Sequence, residues 1–421
     1  MTRLAPPPEI LRLARTLHES GFEAWLVGGA VRDAFLGHDS LDWDIATDAR
    51  PTDVQRIFRR TVPVGVQFGT VGVLDRQGVL HEVTTFRRDV RTDGRHAEVE
   101  FGASLDDDLA RRDFTINAIA VHPETLAVRD PFDGRADLRA RVIRAVGDPD
   151  ARMTEDRLRA LRGIRFASRF DFAIDPATWR AIVASGPHLG RLSIERVKQE
   201  LDKVMEQCAR PSTALQRYRD AGVFTTLVPA LAAVPDDALA VVDRLPPGGG
   251  GRRVARHTAL ALALHAGEVA AVLKALRFST ADTQWIVHLA QSWHALSPAI
   301  SAAWGAGAVD DATLRRWASV VGRTRVRAFA RLVAARLART PSANVAPFGR
   351  VHRRALRLAW RSPIELADLA VDGEDLARVG VAKGPALGAM LKALLDVVID
   401  DPTMNTVERL MAEAARRVAA S

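Results

Sequence analysis

The chain has 421 residues, nearly half of them apolar, which is too long for one compact core and rich enough to bury several, so two to four domains are expected. Its 59 lysines and arginines against 51 aspartates and glutamates leave a formal charge of +8, which favours an anionic partner, nucleic acid first, although genomic bias toward arginine produces the same excess. The only cysteine, Cys208, excludes an intrachain disulfide and a cysteine-rich zinc site, and fits a reducing compartment. Extended segments at 24–27, 43–46, 71–74, 79–85 and 116–122 alternate with helices over 9–19, 30–36 and 52–59, which predicts an α/β region up to about residue 145. Beyond it, apolar residues recur at three- and four-residue spacing over 155–170, 178–185, 194–207, 255–276, 311–338, 387–399 and 405–418, so the remainder is predicted to be helical. Breaks are expected at Pro211, in the Gly-rich 245–251 stretch and at 341–347, and no repeat of fixed period is present.

Chemistry concentrates in four blocks. Leu26-Val-Gly-Gly-Ala-Val-Arg-Asp33 puts two glycines between a predicted strand and a helix. Such a turn lets the backbone of Gly28 and Gly29 approach a phosphate, with Arg32 adding a forked cationic contact. Asp42 and Asp44 in Leu-Asp-Trp-Asp-Ile follow closely; on a strand, residues i and i+2 share a face, so the two carboxylates converge and call for a hard divalent ion such as Mg²⁺. Taken singly, a Gly-Gly turn is a tight connection and Asp-x-Asp a surface pair; together they read as a metal-dependent phosphoryl-transfer site.

The third block is Arg111-Arg-Asp-Phe-Thr-Ile-Asn-Ala118. Arg111 or Arg112 would clamp a triphosphate while Asp113 and Asn117 bond a ribose or fix the clamp; the plainer alternative is a surface Arg–Asp pair worth about 0–1 kcal/mol. The fourth is Glu155-Asp-Arg-Leu-Arg-Ala-Leu-Arg-Gly-Ile-Arg-Phe166. Read as one helix, it sets Asp156, Arg159 and Gly163 on one face, with Arg162 and Arg165 continuing the polar stripe toward a cleft; the alternative is a solvated face with an Asp156–Arg159 ion pair.

In this order, the blocks resemble the class II tRNA nucleotidyltransferases, the family of bacterial CCA-adding enzymes and related poly(A) polymerases. Leu26–Asp33 with Asp42 and Asp44 resembles the catalytic motif, Arg111–Ala118 the ribose-contacting motif and Glu155–Arg159 the nucleotide-selecting motif. Asp130-Pro-Phe-Asp-Gly with Val142-Ile-Arg144 resembles the hinge element, Leu192–Glu200 the neck helix, 380–388 with the following helix the tail, and the polar 88–98 segment the flexible loop of members that add the terminal adenosine. The resemblance implies an α+β fold: a polymerase-β-like nucleotidyltransferase head with a mixed sheet (1–146), followed by an all-α neck that selects the base (147–210), body (211–340) and tRNA-binding tail (341–421), the neck, body and tail helices together holding tRNA. It implies addition of C, C and A from CTP and ATP to the tRNA 3′ end without a template. Asp156 offers only acceptors and Arg159 only donors, which complements the amino group and ring nitrogen of cytosine or adenine and opposes guanine and uracil. Attack of the RNA 3′ hydroxyl on the α-phosphate would run between two metal ions about 3.5–4 Å apart. Asp42 and Asp44 are the expected metal ligands, and Glu82 on a neighbouring strand is the candidate third catalytic carboxylate. Arg162 and Arg165 join the nucleotide-binding set.

The basic run Arg350, His352, Arg353, Arg354, Arg357 and Arg361 is either a tRNA phosphate contact or a solvated face. An A-adding specialist, a poly(A) polymerase, a nucleotide-signalling enzyme and a non-catalytic RNA-binding protein on a retired polymerase fold are the competing functions. The first residues lack the apolar core of a signal peptide and no stretch reaches membrane-spanning length, so a soluble cytoplasmic protein with no membrane contact and no obligate protein partner is expected.

Overall fold

Alternation of apolar residues in short runs separated by Gly and Pro turns builds a mixed sheet near the N-terminus, and helical periodicity takes over from residue 149. The computed structural model describes residues 5–39, 43–92, 97–245, 251–306, 309–338 and 348–419, without the side chains of 89–99, 304–306 and 348. Asp42 and the tip of the 88–98 segment therefore lie outside the described residues. The chain forms two compact units, Met1–Ala233 and Val234–Ser421.

In the first unit, strands β1 (Ala24–Val27), β2 (Asp44–Thr47), β3 (Thr61–Gly65), β4 (Thr70–Leu74), β5 (Leu80–Thr85), β8 (Ala120–Val121) and β9 (Val128–Arg129) make one sheet in the order β3-β4-β5-β2-β1-β8-β9. Between β5 and β8 in the chain, β6 (Arg87–Thr92) and β7 (Ala97–Phe101) pair antiparallel as a separate hairpin. Only β2 and β5 run parallel within the large sheet, which makes it mixed. That pairing sets Ile45 against Val83, so Asp44 and Glu82, one step earlier on each strand, are neighbours. Apolar Val27, Ala46, Phe86, Leu105, Leu109 and Ala118 pack into one core beneath the sheet. Helix α1 (Pro8–Glu19) buries Ile10, Leu13, Ala14 and Leu17, the i, i+3, i+4, i+7 stripe of an amphipathic helix.

Helices α2 (Gly29–Phe35), α3 (Pro51–Ile57), α4 (Leu105–Ala110) and α5 (Gly134–Ala140) complete the sheet region. They are followed by α6 (Pro149–Glu155), α7 (Leu158–Phe170), α8 (Pro176–Ser185), α9 (Ile194–Gln207) and α10 (Pro211–Asp220). Two predicted elements differ. The helix expected over 155–170 breaks at Asp156, whose backbone is extended (φ −145°, ψ 105°) and whose carboxylate accepts the Leu158 N–H at 3.0 Å. A short acceptor side chain competes with helix continuation in this way, so α7 starts afresh. The strand expected over 116–122 shrinks to Ala120–Val121 because Thr115–Asn117 closes into a 3₁₀ turn. Asp130 then supports the start of α5 by accepting the N–H groups of Gly134 (2.7 Å) and Arg135 (2.9 Å). A Cβ on Gly134 would sit 2.1 Å from the Thr115 carbonyl oxygen, so glycine is required there.

The second unit is helical throughout its described residues, and the 27-residue helix Thr280–Ala306 is its longest. The 255–276 prediction resolves into Arg252–Ala261 and Ala266–Ala275, and 311–338 into Asp311–Val321 and Val326–Leu337, the second break at Gly322 with φ +81°. Helices Thr280–Ala306 and Phe348–Arg361 were not among the predicted segments. Toward the C-terminus, Val371, Leu376, Val381, Leu394, Val398, Leu410 and Ala414 form a separate apolar core. Among the described residues no helix is long and apolar enough to cross a membrane.

Candidate active site

The carboxylates meet at one end of a cleft of about 620 Å³ in the first unit. Alternation along β5 turns His81, Val83 and Thr85 inward, which leaves Glu82 and Thr84 to face the cleft beside Asp44. The turn from β1 into α2 passes directly beneath. Gly28 has φ +79°, and a Cβ there would lie 3.2 Å from Asp44 Oδ2 and 3.5 Å from Arg112 Nη1. Glycine is thus demanded twice, by backbone conformation and by the approach of a carboxylate and a guanidinium. Asp44 and Glu82 offer hard oxygen donors side by side, which suits a divalent ion that takes its remaining ligands from phosphate and water. Among the described residues no three His, Cys, Asp or Glu side chains form a closed metal cage.

Across from the carboxylates, Arg111 and Arg112 end α4. Arg111 donates to Asp108 Oδ1 through Nε (3.0 Å) and Nη2 (2.7 Å), and Arg112 donates from Nη2 to Asp108 Oδ2 (3.1 Å) and from Nη1 to the Asn117 carbonyl (3.3 Å). Behind them a polar network joins three elements. Asn117 donates to Asp113 Oδ1 (2.9 Å) and accepts from Arg32 Nη1 (2.6 Å), while Arg162 of α7 donates to Asp113 Oδ2 (2.8 Å). Burial pushes the Asp113 carboxyl up, but Arg162 and Asn117 outweigh it and hold it at about 2. The Arg162 guanidinium is raised in return, chiefly by Asp113. Arg32 is 3% exposed, pairs with Asp33 at 2.7 Å and lies over the rings of Phe166 (5.1 Å) and Phe170 (4.7 Å). Burial lowers it from its ordinary value, and Asp33 opposes that shift. Its fork therefore ties α2 to the 113–117 turn and to α7, while one edge still lines the cleft.

The third wall carries Asp156 and Arg159. The ion pair between them does not form. Arg159 instead donates from Nη1 to Glu155 (2.6 Å) and the Arg152 carbonyl (3.0 Å), and from Nη2 to the Arg111 carbonyl (3.0 Å). A guanidinium has five N–H donors. The Arg159 Nε–H and its second Nη2–H make no hydrogen bond among the described residues. Asp156 Oδ2 accepts from Arg196 Nη2 of α9 at 2.8 Å, and each of its oxygens keeps a lone pair. Both side chains are thus held from behind, with acceptors of one and donors of the other available to a planar ligand.

Of the predicted residues, Gly28, Gly29, Arg32, Asp44, Glu82, Arg111, Arg112, Asp113, Asn117, Asp156, Arg159 and Arg162 line this one cleft. Arg165 does not join them. It is 3% exposed and donates to Glu200 of α9 at 2.6 Å, because each three-residue step along α7 falls about 60° short of a full turn and two steps carry position 165 from the cleft side to the α9 side. Asp108, Glu155 and Arg196 were not among the predicted site residues, although Glu155 and Arg196 fall within quoted motifs. Asp108 stands three and four residues before Arg111 and Arg112, and Glu155 four before Arg159, spacings that are readable on a helix. Arg196 has no local signal, since its partner is 40 residues away.

Residues 24–144 match the Poly A polymerase head domain, and residues 171–234 match the probable RNA and SrmB- binding site of polymerase A. The CCA-adding enzyme of Levilactobacillus brevis is 46% identical over 204 residues, a match that covers 47% of this chain and 51% of the relative, so this chain spans about half of that relative's length. That of Latilactobacillus sakei is 34% identical over 422 residues, covering 98% and 99% of the two chains. The crystal structure of the Bacillus stearothermophilus CCA-adding enzyme in complex with CTP superposes with a TM-score of 0.79 at 33% identity over 99% of both chains. With end-to-end similarity in sequence and in fold to such proteins, the chain belongs to the CCA-adding enzyme family of nucleotidyltransferases.

Proposed function

We propose that this chain is a template-independent tRNA nucleotidyltransferase that adds C, C and A from CTP and ATP to the tRNA 3′ end and releases pyrophosphate at each step. The observation that carries the reading is the meeting of the Asp44–Glu82 carboxylates, the Arg111–Arg112 clamp and the Asp156–Arg159 pair in a single cleft. The match to a relative in complex with CTP supports the substrate class.

In this reading Arg111 and Arg112 hold the triphosphate, and Asp113 and Asn117 keep the clamp in register. Asp156 accepts from the amino group of cytosine or adenine while Arg159 donates to the neighbouring ring nitrogen. Guanine or uracil would set acceptor against acceptor and leave buried polar groups unpaired, at about 1–3 kcal/mol each. The RNA 3′ hydroxyl forms the new bond to the α-phosphorus, the bond to the bridging oxygen breaks, pyrophosphate leaves with that electron pair, and the hydroxyl proton passes to solvent. Asp44, together with Asp42 and Glu82, would hold divalent ions, for which Mg²⁺ is our assignment; bound there, they would neutralise charge on the attacking and leaving oxygens. We assign residues 1–146 to a catalytic head, 147–210 to a neck that selects the base, 211–340 to a body and 341–421 to a tail that binds tRNA, and the cytoplasm as the site of action.

The test is incorporation of single labelled nucleotides, with Mg²⁺, onto three tRNA transcripts that end before the first C, after one C and after CC. Addition of C, C and then A, and nothing further, is the expected result. A only on the CC-ended transcript would instead define an A-adding specialist, continued A addition a poly(A) polymerase, and no incorporation at all a binding protein.

A further inference from the structure

Arg111 and Arg112 are adjacent in the chain and both face the cleft, so two like charges are forced together in a half-buried place. The side chain that permits this is Asp108, at 1% exposure and outside the cleft lining. Ser104 caps α4 by accepting the Asp107 N–H (3.2 Å), and the Asp107 carboxylate reaches back to the Ser104 N–H (3.0 Å). The helix so started presents position 108 to positions 111 and 112, one turn later. Each carboxylate oxygen serves one guanidinium: Oδ1 accepts two N–H groups of Arg111, and Oδ2 accepts one from Arg112.

The two arginines depend on it unequally. Arg112 Nε is buried without a hydrogen-bond partner. Its hydrogen bonds are the 3.1 Å contact to Asp108 and the 3.3 Å contact to the Asn117 carbonyl. Arg111 is better anchored, and its carbonyl also accepts from Arg159, which links the clamp to the base-reading wall. We infer that Asp108 is a positioning residue that aims the Arg112 guanidinium at the triphosphate and, through Arg111, keeps the clamp in step with base reading. The inference rests on the nucleotidyltransferase reading above. Asp108 touches no reacting atom; it acts through the two arginines, and the Arg112 side is the one an amide at position 108 would disturb.

Asp108→Asn keeps one oxygen for Arg111 and replaces the acceptor facing Arg112 by an amide donor. It is expected to raise KM for both CTP and ATP about tenfold, and to raise the Ki of the product pyrophosphate, which uses the same clamp, by a similar factor. kcat and the Kd for tRNA should stay within about twofold of the wild type. Asp106→Asn is the control on the same helix, since Asp106 pairs with Arg129 on the exposed side. Should the single variant not fold, Asp108→Asn with Arg112→Gln removes the unneutralised cation as well, and its KM should equal that of Arg112→Gln alone. An unchanged KM in Asp108→Asn, a parallel fall of kcat and tRNA affinity, or a further rise in KM in the double variant would each overturn the inference. Absence of incorporation by the wild-type chain would instead overturn the underlying assignment, so the two failures are separable.

Discussion

Removing the carboxylate of Asp44 is expected to abolish nucleotide incorporation, while tRNA affinity, measured by filter binding, stays within about twofold. Normal activity in Asp44→Ala would remove it from the catalytic set. Asp113 works differently, because its partners are protein groups. Its carboxyl is held at about 2, below the roughly 4 of an unfolded aspartate, by Arg162 and Asn117 acting against burial. Its stabilising contribution is therefore complete above about pH 4 and is lost as pH falls toward about 2. Asp113→Asn should lower stability at neutral pH by roughly 2 kcal/mol and flatten the dependence of the melting temperature on pH between about 4 and 2. An acid limb as steep as that of the wild type would show that other carboxylates carry it. Residue types and spacing singled out both aspartates. They did not distinguish a group that opens onto the cleft from one tied to arginine, because that depends on which side chains fold over the motif.

At the scale of elements, α7 decides how the cleft is built. A Cβ at Gly163 would lie 2.9 Å from the Phe114 ring and 3.2 Å from Ile182, so the helix packs against the Arg-Arg-Asp segment only with glycine there. Gly163→Ala should destabilise the fold by about 1–3 kcal/mol. Because α7 carries both Arg159 and Arg162, KM for CTP should rise together with the loss in melting temperature; a destabilised variant with wild-type KM would separate packing from site geometry. The β6–β7 hairpin makes a second element-scale prediction. Deleting residues 89–96 is expected to stop addition of A more than addition of C in the three-transcript assay, and equal loss of both would mean that the segment serves folding alone. The strands β6 and β7 of this hairpin were not among the predicted elements. The break that starts α7 could not be anticipated, since Asp156 continues the helical periodicity and leaves the helix only because its carboxylate has a backbone N–H and Arg196 to bond.

At the scale of the whole molecule, the second unit presents its own cationic surface. On helix Val326–Leu337, Arg327 and Arg331 are exposed one turn apart, and Arg353 lies on helix Phe348–Arg361. Burial first, then Arg331, Arg327 and Arg353, hold the imidazole of His352 below its ordinary value, so the three charges gather around it. Arg354 of the basic run is instead paired with Asp311. Charge reversal at Arg327 and Arg331 is expected to weaken tRNA binding and to reduce the slope of log Kd against log salt by about 2, with KM for CTP unchanged. An unaltered salt slope would exclude this face from tRNA contact.

By itself the sequence determined the mixed sheet followed by helices, the Gly28 turn, the carboxylates at positions 44 and 82, and the order of motifs, because each is written in residues a few positions apart and obeys the period of a strand, a turn or a helix. Tertiary structure alone decided what those residues do to one another. Arg196 meets Asp156 across 40 residues, Arg162 meets Asp113 across 49, and Arg32 meets Asn117 across 85. The inward turn of Arg165 toward Glu200 belongs with them. An arginine in a stripe looks the same whether it faces a triphosphate or a buried carboxylate. The difference lies in the desolvation and pairing that packing imposes, and no local period encodes it.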